Sequence, residues 1–253
     1  MRFCILASGS KGNSIFVETD AVRVLIDVGL SARQIENRLR QIDIPPESID
    51  AVVLTHDHND HVRGVGVFAR RFRVPVYGHP QTLDNITYLF RGQETLRPWN
   101  APFQIEDLQF TPFPLSHDSD PTVGYSIEHH GRRLVICTDL GVVTPVVKTH
   151  VAQANALLLE SNHDPEMLMR GPYPWHLKER IASRVGHLSN HNAGVLLREV
   201  LNGKLNHVIL GHLSEENNRP ELARETVLDY VGYTFNDQLS VIEQKTISPI
   251  FRL

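Results

Sequence analysis

The sequence predicts an α/β fold that occupies the whole chain as one domain. Short apolar runs that end abruptly in polar residues alternate with segments of helical spacing, which is typical of buried strands joined by helices. The 253 residues are enough to bury a large core. No repeat, low-complexity run or linker interrupts the pattern, so we expect residues 1–253 to form a single domain.

The composition is that of an ordinary globular protein. Hydrophobic residues make up 41% of the chain, charged residues make up 21%, and the net charge is -4 at pH 7. A negative chain has no overall positive field to attract nucleic acid or anionic lipid, so a polyanion must be bound by a local basic group. The densest such group comprises Arg63, Arg70, Arg71 and Arg73.

The N-terminus carries no targeting signal that we can identify. Residues 1–7 are mostly apolar, but a Gly- and Ser-rich stretch follows at once, so this run is too short for a signal-peptide core or a membrane span. We therefore expect a cytoplasmic protein with no membrane contact. Cys4 and Cys137 each lie in a strand-like run without metal-binding spacing, which indicates buried free thiols.

The first half of the chain is predicted to begin with three short strands. A capping box, Ser31-Ala32-Arg33-Gln34, then predicts a helix that ends near residue 40. The predicted strands lie at 3–8, 14–19, 22–27, 51–54 and 74–77, and the later helices at 62–72 and 80–90.

The second half contains a predicted hairpin, because His130-Gly131 lies between two alternating runs at 123–127 and 132–138. Buried strands and helices then alternate to the end of the chain. The other predicted strands lie at 108–115, 156–159, 206–210, 239–243 and 248–252, and the helices at 144–153, 174–185, 190–201 and 220–230.

A histidine-rich stretch follows the apolar run 51–54. It reads Thr-His-Asp-His-Asn-Asp-His, so His56, His58, Asp60 and His61 leave one strand end together. Imidazoles separated by one residue can turn to the same ion, whereas Asp60 and His61 point elsewhere. A chance His-rich tract would lie in low-complexity sequence and would not follow a buried strand. The stretch therefore predicts two neighbouring cations.

Further polar residues follow other predicted strands. An Asp beside a glycine also suits a turn, so Asp27 and Asp139 have an alternative structural explanation. The loop 8–14 suits either a phosphate cradle or an ordinary hairpin turn. The strand-end candidates are Asp27, His117, Asp139, Glu160, His163 and His212.

The pattern His-x-His-x-Asp-His resembles the signature of the metallo-β-lactamase superfamily, and the family's other ligand positions occur in order along the chain. The resemblance implies a four-layer αββα sandwich with the metals at one edge of two sheets. It implies that Asp139 bridges the two ions and that Asp27 orients ligands. The ligands it implies are His56, His58 and His117 for one ion, and Asp60, His61 and His212 for the other.

Two cations about 4 Å apart lower the pKa of a shared water and clamp the oxygens of the attacked group. The resemblance therefore implies a hydrolase, with Asp60 counted among its catalytic residues. Nitrogen and oxygen ligands without thiolate suit zinc, manganese or iron, so two divalent ions of one of these metals are expected.

The last third of the chain is similar to the phosphodiesterase branch of the superfamily, which includes ribonuclease Z. The similarity rests on Gly186-His187, a helix, a strand and then Gly211-His212. It implies that His187 donates a proton to the leaving group and that Glu160 is its partner. Including the loop at 7–14, the whole chain resembles the YycJ/WalJ family of bacterial exonuclease-like proteins.

The resemblance implies a metal-dependent phosphodiesterase that hydrolyses DNA, single-stranded or from 5′ ends. A thioester or other small-molecule hydrolase, including one for a small cyclic phosphodiester, would keep the metals but would not need Glu160 and His187. A noncatalytic metal-bound nucleic-acid module would predict an incomplete ligand set. His163 is either a substrate-facing residue or a second acid, and Ser189 and Asn190 contact a phosphate or cap a helix.

Overall fold

The computed structural model describes residues 1–253, which form fourteen strands and nine helices. The strands are β1 (Arg2–Ala7), β2 (Ser14–Glu18), β3 (Arg23–Ile26), β4 (Ala51–Val53), β5 (Val76–Gly78), β6 (Leu96–Pro98), β7 (Phe103–Ile105), β8 (Leu108–Pro114), β9 (Val123–His129), β10 (Arg132–Cys137), β11 (Ala156–Glu160), β12 (His207–Gly211), β13 (Leu239–Val241) and β14 (Phe251–Arg252).

The helices connect these strands on the outside of the molecule. They are α1 (Ala32–Gln41), α2 (Asn59–Val62), α3 (Val65–Phe72), α4 (Pro80–Asn85), α5 (Pro145–Val151), α6 (Pro165–Arg170), α7 (Trp175–Ala182), α8 (Asn190–Val200) and α9 (Pro220–Val231). Short 3-10 turns lie at Pro46–Ser48, Thr87–Leu89 and Tyr233–Gln238. None of the nine helices has both the length and the apolar character needed to cross a lipid bilayer.

The strands form two seven-stranded sheets. One has the order β14-β1-β2-β3-β4-β5-β6, and the other has the order β13-β12-β11-β10-β9-β8-β7. Neighbours are parallel from β3 to β6 and from β10 to β13, and antiparallel elsewhere. Since parallel strands end at the same edge of a sheet, the loops after β3, β4, β10, β11 and β12 are brought to the carboxyl edges.

Three apolar clusters hold the layers together. Along β1, Phe3 and Ile5 face the opposite sheet, whereas Cys4 and Leu6 face α1 and α3, as the two-residue period of a strand requires. The third cluster packs the second sheet against α5, α8 and α9. The order of layers is helices, sheet, sheet, helices, so the predicted four-layer αββα sandwich is confirmed.

Local sequence signals set the ends of several elements. Ser31 and Gln34 form both hydrogen bonds of the predicted capping box at the start of α1. His130 and Gly131 have φ values of 48° and 73°, which a two-residue hairpin turn between β9 and β10 requires. Cys4 and Cys137 are buried free thiols, as predicted.

The structure corrects several predicted elements. The predicted helix 62–72 begins only at Val65, as α3, because Gly64 separates it from the short α2 and packs against the carbonyl oxygen of Leu30. The predicted helix 80–90 ends at Asn85 and continues as a 3-10 turn, and the predicted strand 248–252 pairs only at its last residues. The elements β6, β7 and α6 were not predicted, because runs this short show no clear periodicity.

Candidate metal centre

Seven polar side chains from both sheets meet where the carboxyl edges adjoin. They are His56, His58, Asp60 and His61 after β4, and His117, Asp139 and His212 after β8, β10 and β12. These are the residues that the sequence predicted as metal ligands. They come together because each follows a strand that ends at the shared edge.

Six of the seven side chains form two groups, in each of which the potential ligand atoms lie within 4.8 Å of one another. One group is His56, His58 and His117, and the other is Asp60, His61 and His212. Asp139 lies between the groups: its Oδ2 is 3.1 Å from His61 Nε2, and its Oδ1 is 3.7 Å from His117 Nε2 and 3.6 Å from His212 Nε2. A carboxylate in this position can contact both groups at once.

Hydrogen bonds on the outer side of three imidazoles turn their Nε2 atoms inward. The Nδ1 atoms of His61, His117 and His212 donate to Asp27 at 2.7 Å, to the carbonyl of Gly186 at 3.1 Å and to Glu160 at 2.7 Å, respectively. Since these acceptors are oxygens, each Nδ1 carries a proton and each Nε2 presents its lone pair to the centre.

The donor atoms of the centre fit divalent metal ions. Nε2 of His56, Nε2 of His212 and Oδ2 of Asp139 are buried without a hydrogen-bond partner, although buried polar atoms are almost always paired. Nε2 of His61 lies 3.1 Å from Oδ2 of Asp139, and each atom presents a lone pair to the other. A cation bound by both atoms would remove the repulsion between these lone pairs. Imidazole nitrogens and carboxylate oxygens are a donor set that divalent metals accept.

The carboxylates make the centre attractive to cations. Burial alone would lower the pKa of His61, but Asp139, Asp27 and Asp60 raise it well above its usual range. Burial would raise the pKa of Asp139, yet His212 and His61 hold it well below its usual range. A field that favours an extra proton on an imidazole also favours a metal ion, which competes for the same lone pair.

Three site residues at strand ends adopt left-handed backbone conformations. The φ values of Asp27, Asp139 and His212 are 61°, 62° and 55°. Such residues cost about 1 to 3 kcal/mol each and persist where the surroundings hold them, often at functional sites. Asp27 is held by the backbone N-H of Thr55 at 2.9 Å and the hydroxyl of Thr55 at 2.8 Å.

Glu160 and His187 adjoin the metal-ligand groups, and they are paired as the sequence predicted. Oε1 of Glu160 accepts from His187 Nδ1 at 2.8 Å and also from His212 Nδ1 at 2.7 Å, while Oε2 accepts from the N-H groups of Leu140 and Leu188. Burial acts to raise the pKa of Glu160, but His187 and His212 outweigh it and lower the pKa to about 2. The sequence did not indicate that one carboxylate serves both histidines.

His187 combines a charged partner with access from outside. Burial would lower its pKa, but the carboxylate of Glu160 raises the pKa above its ordinary value. The side chain is 22% exposed. With Nδ1 held by Glu160, Nε2 is the nitrogen that can reach a ligand.

His163 lies close to the pair of Glu160 and His187. Its Nδ1 is buried without a partner, and burial lowers its pKa to about 4. The imidazole is therefore neutral near pH 7, which weighs against the role of a second acid. A substrate-facing role for His163 stays a prediction.

Ser189 and Asn190 have structural contacts in the fold. The hydroxyl of Ser189 accepts from the N-H of Asn192 at 3.2 Å, so Ser189 is the N-cap of α8. Asn190 is fully buried and contacts Ser161 at 2.6 Å and Asn218 at 2.8 Å. Of the two roles that the sequence left open, the helix cap is the one with contacts in the structure.

The Gly- and Ser-rich loop 8–14 supports the centre in a way that the sequence did not predict. Ser8 Oγ accepts from the backbone N-H of His212 at 2.8 Å, and Asn13 Nδ2 donates to Asp60 Oδ2 at 3.1 Å. The loop therefore holds ligands from both sheets. The glycine and serine residues of the loop suggested a phosphate cradle or a turn. Neither role predicts hydrogen bonds to metal-binding residues.

Three of the four arginines of the predicted basic group lie away from the centre. Arg70 pairs with Glu94 at 2.5 Å, and Arg71 pairs with Glu36 at 2.7 Å. Arg73 ends α3 just before β5 begins, which is the amino edge of the parallel strands. The physical reason is that α3 runs antiparallel to the strands it covers, so its last turn lies at the far edge. The position of these three arginines therefore does not favour contact with a phosphate backbone at the metal centre.

Two further residues beside the centre were not predicted from the sequence. Asp118 Oδ1 lies 3.3 Å from His117 Nε2 and 3.5 Å from His58 Nε2, and its Oδ2 accepts from Arg180 Nε at 2.6 Å. Asp118 follows His117 directly, in a stretch whose composition indicates only a polar turn, and no local pattern connects Arg180 with it.

Comparisons with known proteins agree with this geometry. A family model described as a β-lactamase superfamily domain matches residues 22–212. The exodeoxyribonuclease YycJ of Bacillus anthracis is 36% identical over 231 residues, which cover 90% of this chain and 88% of that protein. The exodeoxyribonuclease WalJ of Streptococcus pneumoniae is 37% identical over 237 residues, which cover 91% and 88%.

A solved structure shares the fold over nearly its whole length. The metallo-β-lactamase fold protein YhfI of Bacillus subtilis superposes with a TM-score of 0.76 at 16% identity, over 98% of this chain and 99% of that chain. At this identity the likeness shows the fold alone.

Proposed function

The chain belongs to the β-lactamase superfamily, in the family of the exodeoxyribonucleases YycJ and WalJ, and from this premise we propose that it is a metal-dependent hydrolase that degrades DNA. One observation carries the proposal: two groups of metal-binding side chains, joined by Asp139, lie directly beside the paired Glu160 and His187. The two groups of metal-binding side chains suit hydrolysis in general. The pair of Glu160 and His187 suits a substrate whose leaving group needs a proton.

We assign the metal ligands as the sequence predicted. Two divalent ions, zinc or manganese with iron as an alternative, would activate a water nucleophile and neutralise charge on a phosphate. Asp60 has a second, catalytic role in this assignment, because its side chain is 23% exposed while that of Asp139 is 3% exposed. The ligands are His56, His58 and His117 in one site, Asp60, His61 and His212 in the other, and Asp139 between them.

His187 is the acid that protonates the departing 3′ oxygen. Glu160 holds the proton on Nδ1 and favours the charged imidazolium, so the proton on Nε2 is the one available for transfer. An alkoxide is a poor leaving group and needs this proton. A thiolate leaves without one, so a thioester hydrolase would have no use for the pair.

The substrate is DNA, attacked as a single strand or from its 5′ end. The choice of DNA is supported by the similarity to YycJ and WalJ, which are exodeoxyribonucleases, and the single strand and the 5′ end are our proposal from the sequence resemblance. We further propose that residues 1–253 form one domain, because the core between the sheets takes side chains from β1 near one end of the chain and from β14 near the other. A cytoplasmic location stays a prediction.

The first experiment compares two substrates in the zinc- or manganese-loaded protein. We expect His187→Ala to slow hydrolysis of DNA by roughly a hundredfold to ten-thousandfold, because the variant lacks a positioned proton donor. Hydrolysis of bis-nitrophenyl phosphate should fall far less, since nitrophenolate leaves without a proton. The measurement is kcat for both substrates, together with metal content by elemental analysis.

A control variant removes an imidazole far from the centre. His130→Asn at the hairpin tip should leave both activities unchanged, and asparagine tolerates the positive φ at that position. If His187→Ala slows both substrates equally with its metals intact, His187 is not the acid. If the loaded wild-type protein cleaves a thioester but not DNA, the proposed function is wrong.

A further inference from the structure

A cleft of about 200 Å³ opens beside His117 and His187. Its far wall is apolar and is formed by Tyr173, Leu177 and Ile181. Cleavage of a phosphodiester needs polar and charged groups, so an apolar wall this close to the proposed acid requires another explanation.

The wall is one face of α7 and of the turn before it. Leu177 and Ile181 lie one helical turn apart in α7, and Tyr173 lies in the turn before the helix; all three line the cleft. Tyr173 is partly exposed, and its ring makes no aromatic contact and its hydroxyl no hydrogen bond within the chain. The tyrosine side chain thus lines the cleft without an aromatic or hydrogen-bonding partner in the chain.

The backbone holds Tyr173 in place. Pro172 and Pro174 flank it, and proline both fixes its own φ and restricts the residue before it to extended conformations. On the other side of this turn, a Cβ on Gly171 would lie 2.4 Å from Asn217 Oδ1, so the turn is packed closely against the loop after β12. Little conformational freedom of the tyrosine backbone remains to be lost on binding.

A buried lysine ties the two helices of this segment together. Nζ of Lys178 in α7 donates to the carbonyl oxygen of Met169 in α6 at 2.7 Å, and Lys178 is 8% exposed. The hydrogen bond joins α7 to the last turn of α6. The position of the apolar wall relative to His187 is therefore set by the fold.

The charges at the mouth of the cleft suit a nucleic acid. Arg180 lines the cleft and neutralises Asp118, which would otherwise repel a phosphate near His117. Arg184 is exposed and forms no ion pair, and it lies three residues before His187. Positive groups beside a free aromatic face are the combination with which proteins bind single strands.

We propose that this cleft binds the base of the nucleotide on the leaving-group side of the scissile phosphate, and that the base stacks on Tyr173. The inference rests on the proposed function, because His187 defines which side of the phosphate leaves. The volume is below the range of about 300 to 1,000 Å³ that holds a whole small ligand, so the cleft suits part of one. Every base has an aromatic face, so the subsite accepts any sequence.

The test measures binding as well as turnover. The probe is a short single-stranded DNA with a fluorescent 3′ label, and phosphorothioate linkages at its 5′ end slow its hydrolysis. Tyr173→Ala should weaken its binding, measured by anisotropy, by about 5- to 150-fold, the range for loss of one stacked base. Tyr173→Phe should bind like the wild type, since stacking needs the ring and not the hydroxyl.

Two controls separate stacking from damage to the protein. Tyr233→Ala makes the same truncation at the far end of α9, on a side chain that is 64% exposed, and should not change binding. Metal content should be unchanged in Tyr173→Ala, because Tyr173 is not one of the metal-binding side chains.

An abasic substrate assigns the contact to one nucleotide. Removing the 5′-terminal base should weaken binding to the wild-type protein about as much as Tyr173→Ala does. The same removal should weaken binding to Tyr173→Ala by almost nothing further. The inference is overturned if Tyr173→Ala binds the DNA as tightly as the wild type does. It is also overturned if loss of the base weakens binding to both proteins by the same factor. A wild-type protein that leaves DNA intact under every metal condition would overturn the proposed function instead.

Discussion

At the scale of single residues, the position of Asp139 between the two ligand groups is the most consequential feature. Its carboxylate approaches His61 from one group and His117 from the other, and one of its oxygens is buried without a hydrogen bond. Only a carboxylate has two oxygens that can face two cations. An imidazole presents one nitrogen to the centre and uses the other for its outer hydrogen bond.

We therefore expect Asp139→Ala to lose metal from both sites, whereas His58→Ala should lose metal mainly from one. His58 belongs to a single group and is the ligand with the most exposed side chain, at 32%. Elemental analysis of the two purified variants gives the metal content per chain. Full metal content in Asp139→Ala would exclude the bridging role.

At the scale of elements, glycine determines how closely the loops around the centre approach each other. A Cβ on Gly29, after β3, would lie 1.6 Å from the carbonyl oxygen of Asp60 and 2.6 Å from the backbone nitrogen of Asn13. Asn13 N-H in turn donates to the carbonyl of Asp60 at 2.7 Å. Three segments of the chain thus meet at one position that has no side chain.

Gly29→Ala should displace α2 and with it Asp60, because both atoms that the new methyl group meets belong to the backbone. We expect a loss of about 1 to 3 kcal/mol in the free energy of unfolding, and less metal in the site of Asp60. Chemical denaturation and elemental analysis measure the two effects. As a comparison, Gly203→Ala should lower the free energy of unfolding, because Gly203 has a φ of 76° that alanine adopts only with strain. It should leave the metal content unchanged.

A group of three charged residues joins the first strands at the other edge of the sheet. Glu18 of β2 is 5% exposed and is contacted by Arg2 of β1 and by Arg23 of β3, the latter at 2.6 Å. Burial acts to raise the pKa of Glu18, but the two arginines outweigh it and lower the pKa. A lowered pKa stabilises the folded state above the pKa of the unfolded chain, and that contribution is lost as the pH falls through the folded value.

Glu18→Gln should therefore reduce the free energy of unfolding at pH 7 by about 1 to 2 kcal/mol, a value discounted because both arginines are partly exposed to solvent. The deficit should shrink as the pH falls below about 4.5, where the wild-type carboxylate also begins to be protonated. Urea unfolding at pH 7 and at pH 3 provides the comparison. Glu47→Gln, at an exposed position without an ion pair, is the control. An equal deficit at both pH values would contradict the assignment.

At the scale of the whole molecule, a chain with a net charge of -4 must bind DNA through a small positive region. We propose that this region lies near the metal centre. Arg184 and Arg63 are exposed and unpaired with acids, and Arg63 contacts the carbonyl of Lys11 in the loop that supports the centre. The arginines of α3 lie at the opposite edge.

Replacing Arg63 and Arg184 together by glutamine should flatten the salt dependence of DNA binding. On a single strand, the slope should fall by about 0.7 for each phosphate that the variant no longer neutralises. Replacing Arg70, Arg71 and Arg73 should leave the slope unchanged. Affinity measured by anisotropy at several salt concentrations gives both slopes. A change in the second variant but not in the first would place the DNA on the α3 face.

The sequence by itself determined the parts of this protein that depend on local order. Strand positions follow from short apolar runs, and the ligand residues follow from polar residues at strand ends, because both signals lie within a few neighbouring residues. The order of His56, His58, Asp60 and His61, followed by the later strand-end residues, was enough to predict the family and the αββα sandwich.

Only the tertiary structure decided which distant residues meet. Glu160 holds both His187 and His212, Asn13 reaches Asp60, and Tyr173 forms a wall beside the proposed acid. The partners in these contacts are separated by 14 to 52 positions in the sequence, and the packing of loops and helices at the joined sheet edges brings them together. No local pattern carries that information, because the contacts arise from the path of the whole chain.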